Sequence, residues 1–215
     1  MKLKLIWFDL RAGMPIAITE LRKSLGLLGT IRTLFYFIAR SVFNDPLKDL
    51  PKPSTVSEVF SYHQIRPAFI LDDVLTRDLC LADNEKHSVL QTVITTTGAK
   101  YISTNVRIPS PEEWEEMSDS DKDEFTKNTM ARFLNAEARV VETPSTVFGF
   151  DVTHCHFAAI CRKLNRPHLA PLFCGADQVY FERKEVLVQL NREHTLAQGD
   201  KHCSFRFHFD DNKQS

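Results

Sequence analysis

The sequence predicts an α+β fold in which an antiparallel sheet, ending in a C-terminal hairpin, is covered by several helices. Three observations favour it. Helical spacing of apolar residues and helix-start signals fill the first two thirds of the chain, β-branched residues gather after them, and two arms near the C-terminus alternate with period two. At 215 residues, the chain is also long enough to bury a substantial core.

The N-terminal region is predicted to form a helical segment followed by a linker. Met1–Leu10 is a short apolar segment, and Ile16–Phe43 reads as one or two helices broken near Gly26 and Gly29. The next stretch, Asn44–Ser54, is polar and rich in proline. We therefore expect residues 1–54 to be a helical segment with a linker, and residues 55–215 to form the α+β domain.

Helices are predicted to continue through the middle of the chain. The block from about Val56 to Ser103 is helical, with Pro67 opening a new helix and Asn84 as an N-cap after a break. Ser110 is expected to cap a further helix whose first residue is Pro111. An acidic-fronted helix is predicted over residues 118–141, because carboxylates favour the N-terminal end of a helix.

Strand signals follow. Residues 138–155 have the β-branched content of one strand interrupted at Pro144, or of two short strands. Thr153 is expected to cap a helix over 153–164, and residues 166–182 read as one or two further helical turns. If those turns are helical, Cys174 and Asp177 lie three residues apart and share a face.

The C-terminal hairpin carries polar residues on its core face. With Gly199 and Asp200 as the central turn pair, His194 lies opposite Phe205 and Arg192 opposite Phe207. Arg192 and His194 are then predicted to point inward, while Glu193 meets Arg206 on the other face. A buried guanidinium needs a carboxylate, a carbonyl or a ligand, so Arg192 is either a ligand-binding residue or an arginine that packs on Phe207 and reaches an internal Asp or water.

Composition limits the partners. The chain has 27 Lys and Arg against 28 Asp and Glu, so nucleic acid is not an expected partner. Sixteen phenylalanines favour a large apolar core or an apolar pocket for a small-molecule substrate with an apolar part. The five cysteines and the lack of a recognisable secretory signal predict reduced thiols and a cytoplasmic setting. Residues 25–43 are read as a core or partner-facing helix, membrane association is not expected, and homo-oligomerisation is left open.

The segments "FDVTHC", "FCGAD" and "NREHTLAQGDKHCSFRF" together resemble the C-terminal signature of the L-2-amino-thiazoline-4-carboxylic acid hydrolase family. The resemblance is strongest over residues 146–207, and the chain departs from the pattern at Gly175, Glu193 and Ser204. The residues that match the signature are Cys155, Cys174, Asp177, Arg192, Thr195, Leu196, Gly199, Cys203 and Phe205.

The resemblance implies an enzyme that opens a cyclic amidine or thiazoline C–N bond in a small organic molecule. Asp177 is the natural base or the partner of Arg192, Cys174 or Cys155 is a candidate nucleophile, and Arg192 would hold a substrate carboxylate. His194 is a candidate proton carrier. The catalytic candidates are Cys174, Asp177, Arg192 and His194, and the substrate-binding candidates are Cys155, His156, Thr195, Cys203, Phe205 and Phe207.

Neither a metal nor another cofactor is expected. The ending also resembles, more distantly, 4-vinyl-reductase-type small-molecule-binding domains, in which an acidic residue and a cysteine help to hold zinc. Arg192 and Thr195 stand at those positions here, and a cation disfavours a metal shell. Two other functions remain open: a non-hydrolytic cyclase, pericyclase or isomerase of secondary metabolism, and a small-molecule-binding module without catalysis.

Overall fold

A computed structural model describes residues 2–141 and 147–209 of the chain. It confirms the α+β class, with many helices and one antiparallel sheet that includes the C-terminal strands. The chain divides into two compact units, Met1–Tyr101 (unit 1) and Ile102–Ser215 (unit 2). The predicted domain boundary after Ser54 stays a prediction.

Unit 1 is built from helices, with π-helical turns at Asp9–Gly13 and Val74–Asp78. Its helices are α1 (Lys2–Phe8), α2 (Met14–Phe43), α3 (Val56–Asp73) and α4 (Asp83–Asn105), the last of which continues past Tyr101. The predicted break in α2 is at Gly26, whose φ of 68° is a left-handed value that favours glycine. Gly29 is helical.

Two predicted helix starts in unit 1 are wrong. Pro67 lies inside α3, which begins at Val56 under a capping box made by Thr55 and Glu58. The helix continues through Pro67, so no new helix begins there. Asn84 lies within α4 rather than before it, and its side chain accepts a hydrogen bond from the next backbone amide.

Much of the apolar surface of α1 and α2 is exposed. The stretch Leu3–Phe43 is long and apolar enough, by length and composition alone, to cross a membrane, and only 11% of its apolar window is buried. The interpretation of residues 25–43 as a core helix is therefore wrong. The alternative of a partner-facing helix is untested.

Unit 2 holds the sheet. Its α-helices and strands are α5 (Pro111–Glu116), α6 (Asp119–Met130), β1 (Ala136–Val140), β2 (Phe148–Cys155), α7 (His156–Lys163), α8 (Ala170–Phe181), β3 (Val188–Asn191) and β4 (Cys203–Phe209). A short 3₁₀ turn, Pro167–Leu169, precedes α8. The strands are antiparallel in the order β1-β2-β4-β3.

The element predictions for unit 2 have mixed outcomes. Ser110 and Pro111 start α5 as expected, with Ser110 accepting from the Glu113 amide. The acidic helix ends at Met130, a turn follows, and β1 begins at Ala136. Two strands are present rather than one, and the predicted interruption at Pro144 lies outside the described residues. Thr153 belongs to β2, so it cannot cap α7, whose N-cap is Cys155.

Phenylalanines form the core on the helix-facing side of the sheet. Phe148 stacks on Phe207 with ring centroids 4.4 Å apart, and Phe150 stacks on Phe205 at 5.0 Å. Phe181 of α8 packs against Phe207 at 5.1 Å. Since these rings pack on one another, many of the phenylalanines belong to the hydrophobic core.

The hairpin pairs two residues away from the predicted register. Leu190, not Arg192, lies opposite Phe207, and Asn191 lies opposite Arg206, so the predicted pairing of Glu193 with Arg206 is wrong. A shift of two residues preserves the face of each side chain, because strand side chains alternate with period two. The inward direction predicted for Arg192 therefore survives the change of register.

Candidate active site

Three strand ends meet at one edge of the sheet. Neighbouring strands are antiparallel, so the last residues of β2 and β3 lie at the same edge as the first residue of β4. These strand ends are at Cys155, just before Arg192, and at Cys203. Helix α8 brings Cys174 and Asp177 to this edge. We call these five residues the thiol–arginine cluster.

Arg192 is the centre of the cluster. Its Nη1 donates to Asp177 Oδ2 at 2.6 Å, and its Nη2 donates to the carbonyl oxygen of Cys174 at 2.8 Å. The guanidinium carbon lies 5.1 Å from the centroid of the Phe205 ring. The inward-facing prediction for Arg192 is thus correct, and its head binds an acid and a carbonyl as a buried cation must.

The Arg192–Asp177 pair is largely shielded from solvent, with side chains only 9% and 14% exposed. Burial raises the pKa of Asp177 above its ordinary value, and the adjacent guanidinium opposes that rise. Burial alone would lower the pKa of Arg192, but the charge of Asp177 and its hydrogen bond to the guanidinium raise it. Arg192 consequently stays a cation, while Asp177 becomes a stronger base than an ordinary aspartate.

Asp177 has one free oxygen. Its Oδ2 accepts from Arg192, but Oδ1 has no protein donor among the residues that the structure describes. A carboxylate held at one oxygen and free at the other can accept a proton from water without losing its orientation.

The three cluster cysteines are neutral thiols. Burial raises the pKa of Cys174 to about 12, and it also raises the pKa values of Cys155 and Cys203. Cys155 contributes to the raised pKa values of Cys174 and Cys203, and Cys203 contributes to that of Cys174. All five cysteines of the chain are free. The thiolate is the reactive form, so these thiols are weak nucleophiles at neutral pH.

Asn135 is a neighbour of the cluster that the sequence did not reveal. Its Nδ2 lies 3.8 Å from Cys155 Sγ, and its carbonyl oxygen accepts from the His156 amide at 2.9 Å. Asn135 therefore fixes the junction between β2 and α7, where Cys155 is the N-cap residue. An Asn in the turn before a strand carries no sequence signal for this role.

Thr195 lies in the loop that joins β3 to β4, and Cys203 is the first residue of β4. The Thr195 amide donates to Asp200 Oδ2 at 2.8 Å, and the Thr195 hydroxyl donates to Gln198 Oε1 at 3.0 Å. Cys203 Sγ accepts from the Leu196 amide at 3.2 Å. These contacts order the loop, which turns at Gly199 with a φ of 102°. The substrate-binding role predicted for Thr195 and Cys203 is untested.

His194 does not face inward. Its side chain is 53% exposed, and its Nδ1 lies 3.7 Å from Asp200 Oδ2. The centroids of the His194 and His202 rings are 5.5 Å apart. The prediction failed because β3 ends at Asn191, so the alternation no longer holds three residues later. His156, half-buried at the start of α7, contacts the ring of His154 at 4.9 Å.

The two predicted phenylalanines lie mainly in the core. Phe205 is 4% exposed and Phe207 is fully buried. The Phe205 ring packs against the Arg192 guanidinium, whereas Phe207 packs among other rings. A substrate-binding role for either residue stays a prediction.

A second charged group lies on the opposite face of the sheet, and sequence reasoning missed it. Asp151, 7% exposed at its side chain, accepts from Arg206 at 2.8 Å and from Arg139 at 3.3 Å. Burial would raise the pKa of Asp151, but Arg206, His202 and Arg139 together bring it below its ordinary value. An aspartate in a strand beside a facing arginine was the available signal.

A metal centre is not apparent. Within residues 2–141 and 147–209, no group of three or more His, Cys, Asp or Glu side chains is arranged to hold a metal ion. The expected absence of zinc remains a prediction to be measured.

Comparison with known proteins gives one match. A family model described as L-2-amino-thiazoline-4-carboxylic acid hydrolase matches residues 86–207, more than half of the chain. Neither the curated proteins nor the solved structures give a match. The matched range contains the whole thiol–arginine cluster.

Proposed function

The chain belongs to the L-2-amino-thiazoline-4-carboxylic acid hydrolase family, and from this premise we propose that it hydrolyses a ring C–N bond in a small carboxylated heterocycle. The thiol–arginine cluster is the proposed active site. The substrate class is a five-membered cyclic amidine or thiazoline that bears a carboxylate.

The observation that carries this proposal is the state of Asp177. It is largely shielded from solvent, held by Arg192 through one oxygen and free at the other, and its pKa is raised. A general base needs a fixed position and a pKa closer to neutrality than that of an exposed aspartate. Asp177 meets both conditions.

The proposed reaction balances with one water. Asp177 Oδ1 takes a proton from water as the water oxygen bonds to the ring carbon of the C=N group. The C=N π electrons move to the ring nitrogen, which takes this proton from Asp177. The new hydroxyl then gives its proton to Asp177 and becomes a carbonyl as the C–N bond breaks with its electron pair on nitrogen. Asp177 passes that second proton to the departing nitrogen, so both protons of the water end on nitrogen and the base is regenerated.

Arg192 has a second role in this scheme. A guanidinium has five N–H donors. In Arg192, Nη1 uses one to bind Asp177 and Nη2 uses one to bind the Cys174 carbonyl oxygen. The remaining donors suit a substrate carboxylate. Attack by Cys174 is the alternative first step. Its raised pKa of about 12 leaves almost no thiolate at neutral pH, which favours direct attack by water.

The test is turnover in heavy-oxygen water. The full chain is incubated with L-2-amino-thiazoline-4-carboxylic acid and, separately, with the same ring lacking its carboxylate. We expect a ring-opened product that carries one solvent oxygen from the first compound and little product from the second. A rearranged product without solvent oxygen would favour a cyclase or isomerase, and binding without turnover would favour a non-catalytic module. Either result would overturn the hydrolase proposal.

A further inference from the structure

We propose that unit 1 binds the surface of a lipid membrane that contains anionic headgroups, through the outer face of α2. The contact surface is a row of exposed apolar side chains, 54% to 78% exposed, which we call the apolar stripe. Its members are Leu28, Ile31, Phe35, Ile38 and Val42.

The apolar stripe follows one face of the helix. Its members are separated alternately by three and four residues, which places their side chains in line along the helix axis. Five large apolar side chains in a line form a continuous exposed patch rather than scattered surface residues. Such a patch indicates an interaction site.

The opposite face of α2 is the one that packs against protein, and it is more polar. Thr30 and Thr33 are buried, and their hydroxyls donate to carbonyl oxygens one turn earlier in the same helix. On this side Arg40 pairs with Asp78, and Arg66 donates to the Ser41 carbonyl oxygen at 2.8 Å.

This arrangement reverses the usual amphipathic pattern. A helix on a water-facing surface turns its large apolar residues toward protein. In the part of α2 after the kink at Gly26, the buried residues are Thr30 and Thr33, whereas the large side chains of the apolar stripe face outward. Small residues at helix contacts with bulky apolar residues outside are typical of helices that meet lipid.

Charge favours lipid over a second copy of the chain. Residues 2–43 contain seven Lys and Arg but only two acids, Asp9 and Glu20, for a net charge of +5. Two copies of this segment would repel each other if they met along the stripe. Arg40 is paired with Asp78 on the protein-facing side, so the exposed cations, such as Arg32, are the ones that would attract anionic headgroups.

Lying on the surface fits the charges better than spanning. Arg32 is exposed and sits between members of the apolar stripe in sequence, so a spanning helix would carry it into the hydrocarbon. In the interface plane, its long side chain can reach the headgroups. Trp7, 56% exposed on α1, is a residue type that concentrates at such interfaces.

The experiment is co-sedimentation of the full chain with vesicles. One set contains phosphatidylcholine alone and the other adds about one third phosphatidylserine. We expect binding to the anionic vesicles, weaker binding to the neutral ones, and loss of at least about tenfold in the double variant Ile31→Glu/Ile38→Glu, since two apolar side chains leave the interface. Val56→Glu, a change at an exposed apolar residue of α3, is the matched control and should bind as the parent does.

Several outcomes would overturn the proposal. They are no binding to either vesicle, equal binding by the double variant, or a dimer in solution that the double variant dissociates. The last result would assign the stripe to self-association. Circular dichroism of the double variant checks that α2 is intact, and a single variant at Phe35→Ser gives an independent reading if the double variant is unfolded.

Discussion

Arg192 and Asp177 form a nearly buried ion pair, with Nη1 and Oδ2 separated by 2.6 Å. One partner follows a strand and the other lies on a helix fifteen residues earlier in sequence. The pair therefore links α8 to the hairpin while leaving Asp177 Oδ1 free, which gives it a structural and a chemical role that separate experiments can distinguish.

The structural role predicts that Arg192→Met destabilises the fold. The substitution retains an apolar stem but leaves a shielded carboxylate without its cation, so the free energy of unfolding should fall by about 3 kcal/mol. Urea unfolding measures this loss. The double variant Arg192→Met/Asp177→Leu should recover most of the stability, because no buried charge is then left unpaired, yet it should remain inactive. Equal losses in the single and double variants would show that the charge of Asp177 is not the cause.

The chemical role predicts a shifted pH profile. Because burial raises the pKa of Asp177, activity should fall as pH drops through a value above the ordinary 3.8 of an aspartate. Arg192 opposes the rise, so its removal should move this acidic limb to still higher pH in any residual activity. Arg206→Met, which disrupts the pair on the other face of the sheet, should leave the limb in place. If the acidic limb lies at the same pH in the parent, the Arg192 variant and Arg206→Met, Asp177 is not the base.

The buried thiols predict a loss of stability at alkaline pH. Cys161 and Cys174 have folded-state pKa values of about 12 against an ordinary 9.0. A group whose pKa is raised by folding contributes stability below its ordinary pKa, and that contribution is lost as pH rises toward the folded value. The free energy of unfolding should therefore decline between pH 9 and 12. Cys174→Ser, which does not titrate there, should reduce the slope.

Alkylation of the folded protein should separate the cysteines. Cys80 is exposed, whereas Cys174 is a shielded thiol with a pKa of about 12. With iodoacetamide at neutral pH we expect Cys80 to react first and Cys174 about a hundredfold more slowly. Peptide mass spectrometry over time gives both rates. Rapid labelling of Cys174 would instead favour its role as the nucleophile.

Alternation along the hairpin was enough to predict that Arg192 faces inward. The predicted pairing of the two strands was wrong by two residues. Because side chains alternate with period two, an error of two residues leaves each side chain on the same face of the sheet. The inference failed for His194 because the alternation was extended beyond the end of β3. The loop there is organised by Thr195 and Asp200, whose contacts depend on the folded geometry.

Helix ends were predictable where the signal was local. The Ser110 and Pro111 start of α5 depends on neighbouring residues and was correct. Thr153 had the chemistry of an N-cap, but its pairing in the sheet prevailed over that local preference. The partners of Asp151 and the contact of Asn135 with Cys155 join residues distant in sequence, which no local pattern specifies.

The most direct test of the account compares two carboxylates on opposite faces of one sheet. Turnover of L-2-amino-thiazoline-4-carboxylic acid is measured for the parent chain, Asp177→Asn and Asp151→Asn, with folding checked by thermal unfolding. Loss of a general base predicts that Asp177→Asn reduces kcat by about a hundredfold or more, while folded Asp151→Asn keeps most of its activity. Activity in Asp177→Asn within about twofold of the parent would contradict the assignment of this cluster as the active site.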